Sequence, residues 1–547
     1  MTTARDRAFW ALVGLGAVVC ALFAWELWSG AEFSVDDAYI TFSFSKNLAR
    51  GAGPVYGQSL RVEGYSNFLW MALVALPLVF APSRDPMALA HGVEVPFVFL
   101  LFAATYVLAR TRASRVTSFT ATLLVAANLD VLLAFRSGLE TLPYMALVTA
   151  GFAAYLRRDT SPRARRLVIP IFTAISLMRI DGFIPFGFVI LLEAATQWGE
   201  KRLSLLALAR WAGPGVAVWG AWFAWRFSYY GFPLPSTYYA KELIPTLMPR
   251  RGMEYVVDEL ACDGLYLALP AFGYLLWRRH RPALIVGLFA LLQLVYTIRV
   301  GGDWMPDARF VLPAVPILVV LVAWAADELL ARAREYGRFA TIGAGAMAIG
   351  AALFIGDHVE PHLTQAPRQR AKLALAVDQT RHVEHLKKAA SFLRFVVPRD
   401  GRLVTDYGGV LAYYTNATPI EMWGLCNITI ARRGNTERVL PVYGRTCPEC
   451  YRELDPDFFH VTSPLVRGRY TFAQHSDVVH TVWQTDTIGR YLDFSKDFVS
   501  GRVVNLKNGE ALWFLQRVRP GWEPRPRLPA PGVAVEYPFS PGGRIAG

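Results

Sequence analysis

From residue 9 to residue 356 this chain alternates apolar runs, each near the length of a membrane crossing, with short polar loops sorted by charge. A bilayer accepts each such run as a helix of about 20 residues, so a polytopic α-helical membrane protein is the expected class. Composition agrees, because the 547 residues are 54% hydrophobic and only 18% charged, whereas soluble domains carry roughly 25% charged residues. The 16 Trp and 23 Tyr suit a chain that lines two membrane–water interfaces with amphipathic rings. Net charge is +13, but the basic residues come in short clusters between apolar runs. That pattern belongs to membrane loops, and no nucleic-acid partner is expected.

Charge then sets the topology. The first run, 9–28, is too long for most signal peptides and is followed by no small-residue cleavage site, so it reads as an uncleaved anchor. Arg5 and Arg7 hold the N-terminus in the cytoplasm, which places Asp36 and Asp37 outside. If 68–80 were the second span, "RTRASR" (110–115) would fall outside against the positive-inside rule. The segment 66–82 is therefore expected to lie along the outer interface without crossing. Spans then follow at 90–108, 116–134, 142–156, 167–178, 183–197, 205–225, 260–277, 282–298, 310–327 and 339–356, about eleven in all with the first. Basic clusters fall inside, and segments rich in Asp, Glu, Tyr, Gly and Pro fall outside. The expected location is the inner membrane of a bacterium, with the N-terminus cytoplasmic and the C-terminus extracytoplasmic.

The composition changes near residue 357, giving a membrane domain, 1–356, and an external domain, 357–547. "DQTRHVEHLKKAASFLRFVV" (378–397) has the spacing of an amphipathic helix. "GRLVTDYGGVLAYYT" (401–415) and "GEALWFLQRVR" (509–519) have the content of strands, so the external domain is expected to be soluble α/β. The Pro-rich stretch 519–532 reads as an irregular wrap or tail. Among five cysteines, Cys426, Cys447 and Cys450 are the candidates for a disulfide, either within "CPEC" or from it to Cys426. No metal site is assigned.

Set side by side, the outer segments supply Asp36, Asp37, Glu63, Tyr65, Glu140, Arg179, Asp181, Arg226, Tyr238, Lys241, Asp303, Trp304, Asp307 and Arg309. Each has an ordinary explanation, since acids after a span are usually just solvated and an interface Arg usually pairs with headgroups. Their coincidence on one side suggests a shared cavity. A carboxylate base beside a cationic cradle suits transfer from a phosphate-linked donor: the base takes a proton from an acceptor hydroxyl while Arg and Lys stabilise the departing phosphate. Such a cavity leaves room for a divalent cation but does not require one.

"DDAYITFSFSKNLARGAGPVYG…RVEGYSNFLW" resembles the first external loop of the GT-C glycosyltransferases, and most of all the terminal β-(1→2)-arabinofuranosyltransferase family. The likeness continues in order through "SGLET", "LMRIDG", "YYGFPLPSTYYAK" and "GGDWMPDARFVLPAVP", and more weakly through "DYGGVLAYYTNATPIEMWGL". One departure is Ile180, where these relatives are expected to carry Pro. The resemblance implies juxtamembrane helices in the first external loop, matching 66–82, and a polyprenyl-phosphate sugar donor. It also implies a catalytic Asp in that loop, with Asp36 favoured as base and Asp37 as its partner or a substrate ligand. Arg309, Lys241 and Arg226 are then expected at the donor phosphate. Glu63, Tyr65, Glu140, Arg179, Asp181, Tyr238, Asp303 and Trp304 are expected near the sugar and acceptor. The implied reaction moves a pentofuranose such as arabinofuranose to an extracytoplasmic cell-envelope glycan, or by the same chemistry to a protein such as a pilin. A flippase or transporter is the rival class. It would place ionisable groups at mid-membrane, whereas here they lie at the rim.

Overall fold

The computed structural model describes residues 33–241, 247–333, 367–415, 417–434, 445–460, 466–467, 497–520 and 527–537. The spans expected at 9–28 and 339–356 and the boundary placed at 356/357 lie outside the described residues. Within them, helices occupy the positions expected for the other spans. Pro86–Ala109 starts on a capping Asp85, whose carboxylate accepts from the Met87 N–H at 3.1 Å, with Pro86 at the first position. Ser161 and Ser204 cap Pro162–Met178 and Leu205–Tyr230 in the same way. Leu205–Tyr230 and Arg281–Val300 stop at Gly231 and Gly301, both left-handed. Four described helices are long and apolar enough to cross a membrane, or six if two bent pairs count as one span each. Phe68–Phe80 and Thr141–Leu156 are shorter apolar helices.

Two expected spans are broken. The one placed at 116–134 consists of Arg115–Ala126 and Leu129–Arg136, bent by 52° where Asn128 caps the second helix. The one placed at 260–277 is a longer broken pair, Met248–Cys262 followed by Leu265–Trp277 at 97°. Gly264, at φ +65°, supplies a backbone angle there that other residues adopt only with strain.

The loops collect at two ends. At one, the Ser114 N–H donates to Asp327 at 3.1 Å, Trp324 Nε1 donates to Ala109 O at 2.8 Å, and Arg278 Nε donates to Glu328 at 2.7 Å. At the other, Trp70 Nε1 donates to Gly138 O at 3.1 Å and the Ile180 N–H donates to Ser66 O at 2.8 Å. Phe68–Phe80, at 13 residues, is about 20 Å long against a hydrocarbon core of about 30 Å. It buries Trp70, Met71, Val74 and Leu78 and leaves Phe80 88% exposed.

The sheet-bearing part begins with the helix Pro367–Leu393, whose Val383, Leu386, Ala390 and Leu393 are buried at helical spacing. Among the described residues eight strands follow: β1 Arg402–Thr405, β2 Thr418–Glu421, β3 Phe458–Phe459, β4 Val466–Arg467, β5 Phe498–Asn505, β6 Glu510–Arg517, β7 Arg527–Ala530 and β8 Val533–Glu536. Their order is β2-β1-β3-β6-β5-β8-β7, with β4 beside β6. The first three are parallel, and β3 through β7 pair antiparallel. Two expectations are corrected. The strand expected over 401–415 ends at Thr405; Gly408 and Gly409 interrupt it, and Val410–Tyr414 is a helix packed on Asp36–Ala49. The Pro-rich stretch also includes the strand β7, where Pro529 is tolerated because β7 ends the sheet.

Candidate active site

Asp36 and Asp37 open the helix Asp36–Ala49, whose N-cap, Val35, provides no side-chain cap. Acids in a first turn are favoured by the helix dipole, so the pair serves local structure as well as any chemistry. The two carboxylates then part company. Asp36 is 8% exposed. Its Oδ2 accepts from the Gly409 N–H at 2.9 Å and its Oδ1 from the Val410 N–H at 2.7 Å, both in the turn that follows β1. Burial pushes its pKa up to about 7, opposed by those two amides. Asp37 keeps 26% of its side chain exposed and lies 3.9 Å from Arg309 Nη1.

Arg309 is positioned by the loop that Gly301 and Gly302 open. Its Nη2 donates to Asp303 Oδ1 at 3.2 Å, its Nε to Asp303 Oδ2, and the Trp304 N–H caps Oδ1 at 2.9 Å. The preceding Ala308 has φ +48°, a conformation costing a non-glycine residue about 1 kcal/mol, which the surrounding contacts must hold. Lys241, at the end of the short helix Ser236–Ala240, feels the charges of Arg309, Asp303, Asp37 and Arg179. Burial lowers its pKa and Arg309 adds to that, while Asp303 and Asp37 oppose it. Two cations and two acids thus face one another from three separate segments.

A second network adjoins the first across the Phe310 ring, which lies 5.6 Å from the Arg309 guanidinium and 5.1 Å from that of Arg179. Arg179 donates to both Asp181 oxygens, at 2.9 and 3.2 Å, and to Glu140 Oε1 at 3.1 Å. Asn67 Nδ2 donates to Glu140 Oε2 at 2.6 Å, and Thr41 Oγ1, one turn beyond Asp37, donates to Asn67 Oδ1 at 3.2 Å.

Other expected residues are committed to one another. Arg226, fully buried, donates Nε and Nη2 to Glu63 at 2.7 and 2.5 Å and Nη1 to Pro233 O at 2.7 Å. These contacts take up three of the five Arg226 N–H donors and engage both Glu63 oxygens, so the buried pair braces the first loop. Tyr65 shares a 3.0 Å hydrogen bond with Tyr230, whose hydroxyl binds Pro54 O, so it too braces the first loop. Tyr238 is 54% exposed, and Trp304 packs half-buried on the core. "CPEC" closes on itself as Cys447–Cys450, Cα to Cα 5.3 Å. The disulfide expectation for Cys426 is corrected: it is a free, buried thiol packed so close to Gly64 that a Cβ there would lie 2.4 Å from its Sγ. The three-residue group Cys447, Glu449 and Cys450 offers no thiolates for a metal, because both cysteines are in the disulfide.

Sequence reasoning noted Asp307 but gave it no role, and it missed Asn67 and Gly409. Asp307 is wholly buried, with both carboxylate oxygens unpartnered among the described residues. Burial pushes its pKa up to about 7, and Arg309 only partly offsets that. Gly409 carried a weak signal in "DYGG", a glycine pair after a short apolar strand.

No family model matches the chain. In sequence it is 27% identical over 331 residues to a terminal β-(1→2)-arabinofuranosyltransferase of Mycobacterium tuberculosis, covering 52% of this chain and 51% of the relative. It is 26% identical over 357 residues to the Corynebacterium glutamicum protein of the same name, covering 56% and 50%. The chain thus spans about half the length of the curated relatives it matches. Its fold matches ArnT from Cupriavidus metallidurans, solved bound to undecaprenyl phosphate, with TM-score 0.56 at 13% identity, over 94% of this chain and 99% of that one. It also matches the oligosaccharyltransferase AglB from Archaeoglobus fulgidus, solved with an inhibitory peptide and a dolichol-phosphate, with TM-score 0.55 at 11% identity, over 95% and 75%. The chain thus has the GT-C fold of these solved structures, with described helices long and apolar enough to cross a membrane, and is similar in sequence to the terminal β-(1→2)-arabinofuranosyltransferases.

Proposed function

We propose that this chain transfers a sugar, a pentofuranose such as arabinofuranose, from a polyprenyl-phosphate donor to a hydroxyl of an extracytoplasmic cell-envelope glycan. It would do so from a bacterial inner membrane, with its N-terminus in the cytoplasm and a second domain, from about residue 357, outside. One observation carries the reading: Asp37, partly exposed, faces Arg309 at 3.9 Å beside Lys241 and Asp303. A base and a cationic cradle at one point are what transfer from a phosphate-linked donor needs. The lipid phosphates in the ArnT and AglB structures support a lipid-phosphate donor, and the name of the curated relatives supports the arabinofuranosyl group.

In this mechanism the acceptor oxygen attacks the anomeric carbon and its proton passes to the Asp37 carboxylate. The bond from the anomeric carbon to the phosphate oxygen breaks, and the electron pair leaves on polyprenyl phosphate. Arg309 and Lys241 stabilise that growing charge. Asp303 holds the guanidinium plane toward the phosphate. Glu140, Arg179 and Asp181, an already paired group one ring away, define the wall near the sugar. Asp37 replaces Asp36 as the favoured base because both oxygens of Asp36 already accept backbone N–H groups. The test is transfer by the purified full chain from a panel of radiolabelled polyprenyl-phospho-sugars to an envelope glycan. Transfer from the arabinofuranosyl donor alone is expected. Transfer from another sugar would replace the donor assignment, and transfer from none would contradict the function.

A further inference from the structure

The helix Asp36–Ala49 is held from two sides. Successive helix residues point roughly 100° apart, so Asp36 and Asp37 cannot face the same neighbour. One face packs on the sheet-bearing part. There Asp36 accepts the Gly409 and Val410 amides, Lys46 Nζ donates to Tyr413 O, and Tyr39 meets the rings of Tyr413 and Tyr414 at 6.1 and 5.9 Å. The other face meets the helical part, where Thr41 bonds Asn67 and Ser45 Oγ donates to Met71 O at 2.8 Å. Asp37 lies on this second side, toward Arg309. The contact at Gly409 leaves no slack. Its φ of −94° is open to any residue, yet a Cβ there would stand 1.9 Å from the Asp36 carbonyl oxygen. Gly408 is fixed as well, its carbonyl accepting from Tyr56 Oη at 2.6 Å.

We infer that the Gly408–Gly409–Val410 turn is a positioning device for transfer: by gripping Asp36 through two backbone amides, it sets the rotation of the Asp36–Ala49 helix and so aims Asp37 at the acceptor. The inference rests on the proposed transfer reaction. It makes Asp36 and Gly409 positioning residues and gives the sheet-bearing part a share in the chemical step. A displacement of about 1 Å between reacting groups costs on the order of 100-fold in rate, while donor binding through Arg309 and Lys241 is left alone.

The test is steady-state transfer by the full chain carrying Asp36→Asn, Gly409→Ala or both, with thermal unfolding in detergent as the folding control. Each single substitution is expected to lower kcat about 10- to 100-fold with the donor KM within about twofold, and the double variant is expected to be no worse than the poorer single. If Gly409→Ala does not fold, Lys46→Met, which loosens the far end of the same contact, replaces it and is expected to lower kcat with the same unchanged KM. Multiplicative losses in the double variant would overturn the device. So would full activity of Gly409→Ala or of Lys46→Met. Either result needs an active wild type, so it differs from failure of the reaction itself, in which the unmodified chain transfers nothing.

Discussion

Asp36 and Gly409 lie 373 residues apart in the chain and 2.9 Å apart in the structure, carboxylate oxygen to backbone nitrogen. That contact joins the first described helix to the turn after β1, and it separates the roles of two adjacent acids. Asp36 is occupied, and Asp37 is left to face Arg309. Of the two adjacent acids, one is thus held by two backbone amides and the other faces a guanidinium.

Replacing Arg309 by Ala removes the guanidinium that faces Asp37 and leaves Asp303, a buried acid, without its partner. Loss of one preorganised charge-stabilising group lowers kcat/KM by about 100-fold or more. Arg309→Lys restores the charge but not the two-point contact with Asp303, so it recovers only part of the rate. Steady-state transfer with a radiolabelled donor checks both.

Glu63→Gln strands the buried Arg226 charge and is expected to lower stability by about 3–5 kcal/mol. The double substitution of Glu63 and Arg226 by Met is expected to recover much of that loss, because a buried pair exchanged for apolar volume is often near neutral. Thermal unfolding in detergent reads the difference. If Glu63→Gln unfolds with the wild type, the pair is not what braces the first loop.

Asp307 gives a pH signature. Its folded pKa is raised from 3.8 to about 7. It therefore contributes stability that is fully present below about pH 4 and is lost as pH rises through 7. Asp307→Asn stays neutral throughout. It should match the wild type near pH 3, already exceed it near pH 5, and exceed it near pH 8 by on the order of 4 kcal/mol, read as a higher Tm. Equal Tm values at all three pH values would show that Asp307 ionises without cost.

The Cys447–Cys450 bridge closes a small ring, so its loss through Cys447→Ser with Cys450→Ser should cost about 2 kcal/mol from loop entropy. Peptide mapping without reductant should link these two cysteines, with Cys426 reacting with alkylating agents only after unfolding. A peptide joining Cys426 to either of the others would contradict the structure.

The legible parts of this fold were those written in local pattern. Apolar runs and basic clusters marked most of the helices, and "GGDWMPDAR" placed Asp303 near Arg309 because both lie in one short loop. Contacts between distant segments were not legible. Arg226 looked available for phosphate because nothing local announced Glu63, 163 residues away. "VLAYY" looked like a strand because its apolar residues suit either state, and packing on Asp36–Ala49 decided for helix. Cys426 looked like a disulfide partner until its thiol was found against Gly64. The different surroundings of Asp36 and Asp37 were not legible for the same reason, since the amides of Gly409 and Val410 that Asp36 accepts lie 373 and 374 residues away.

The central claim is that Asp37 carries the proton, and Asp37→Asn tests it most directly. The variant should keep the wild-type Tm and a donor KM within about threefold, because Arg309 and Lys241 still hold the phosphate. Its kcat for transfer from polyprenyl-phospho-arabinofuranose should fall by about 1,000-fold or more, beyond the 10- to 100-fold expected of Asp36→Asn. A folded Asp37→Asn chain that transfers at more than a tenth of the wild-type rate would contradict the account.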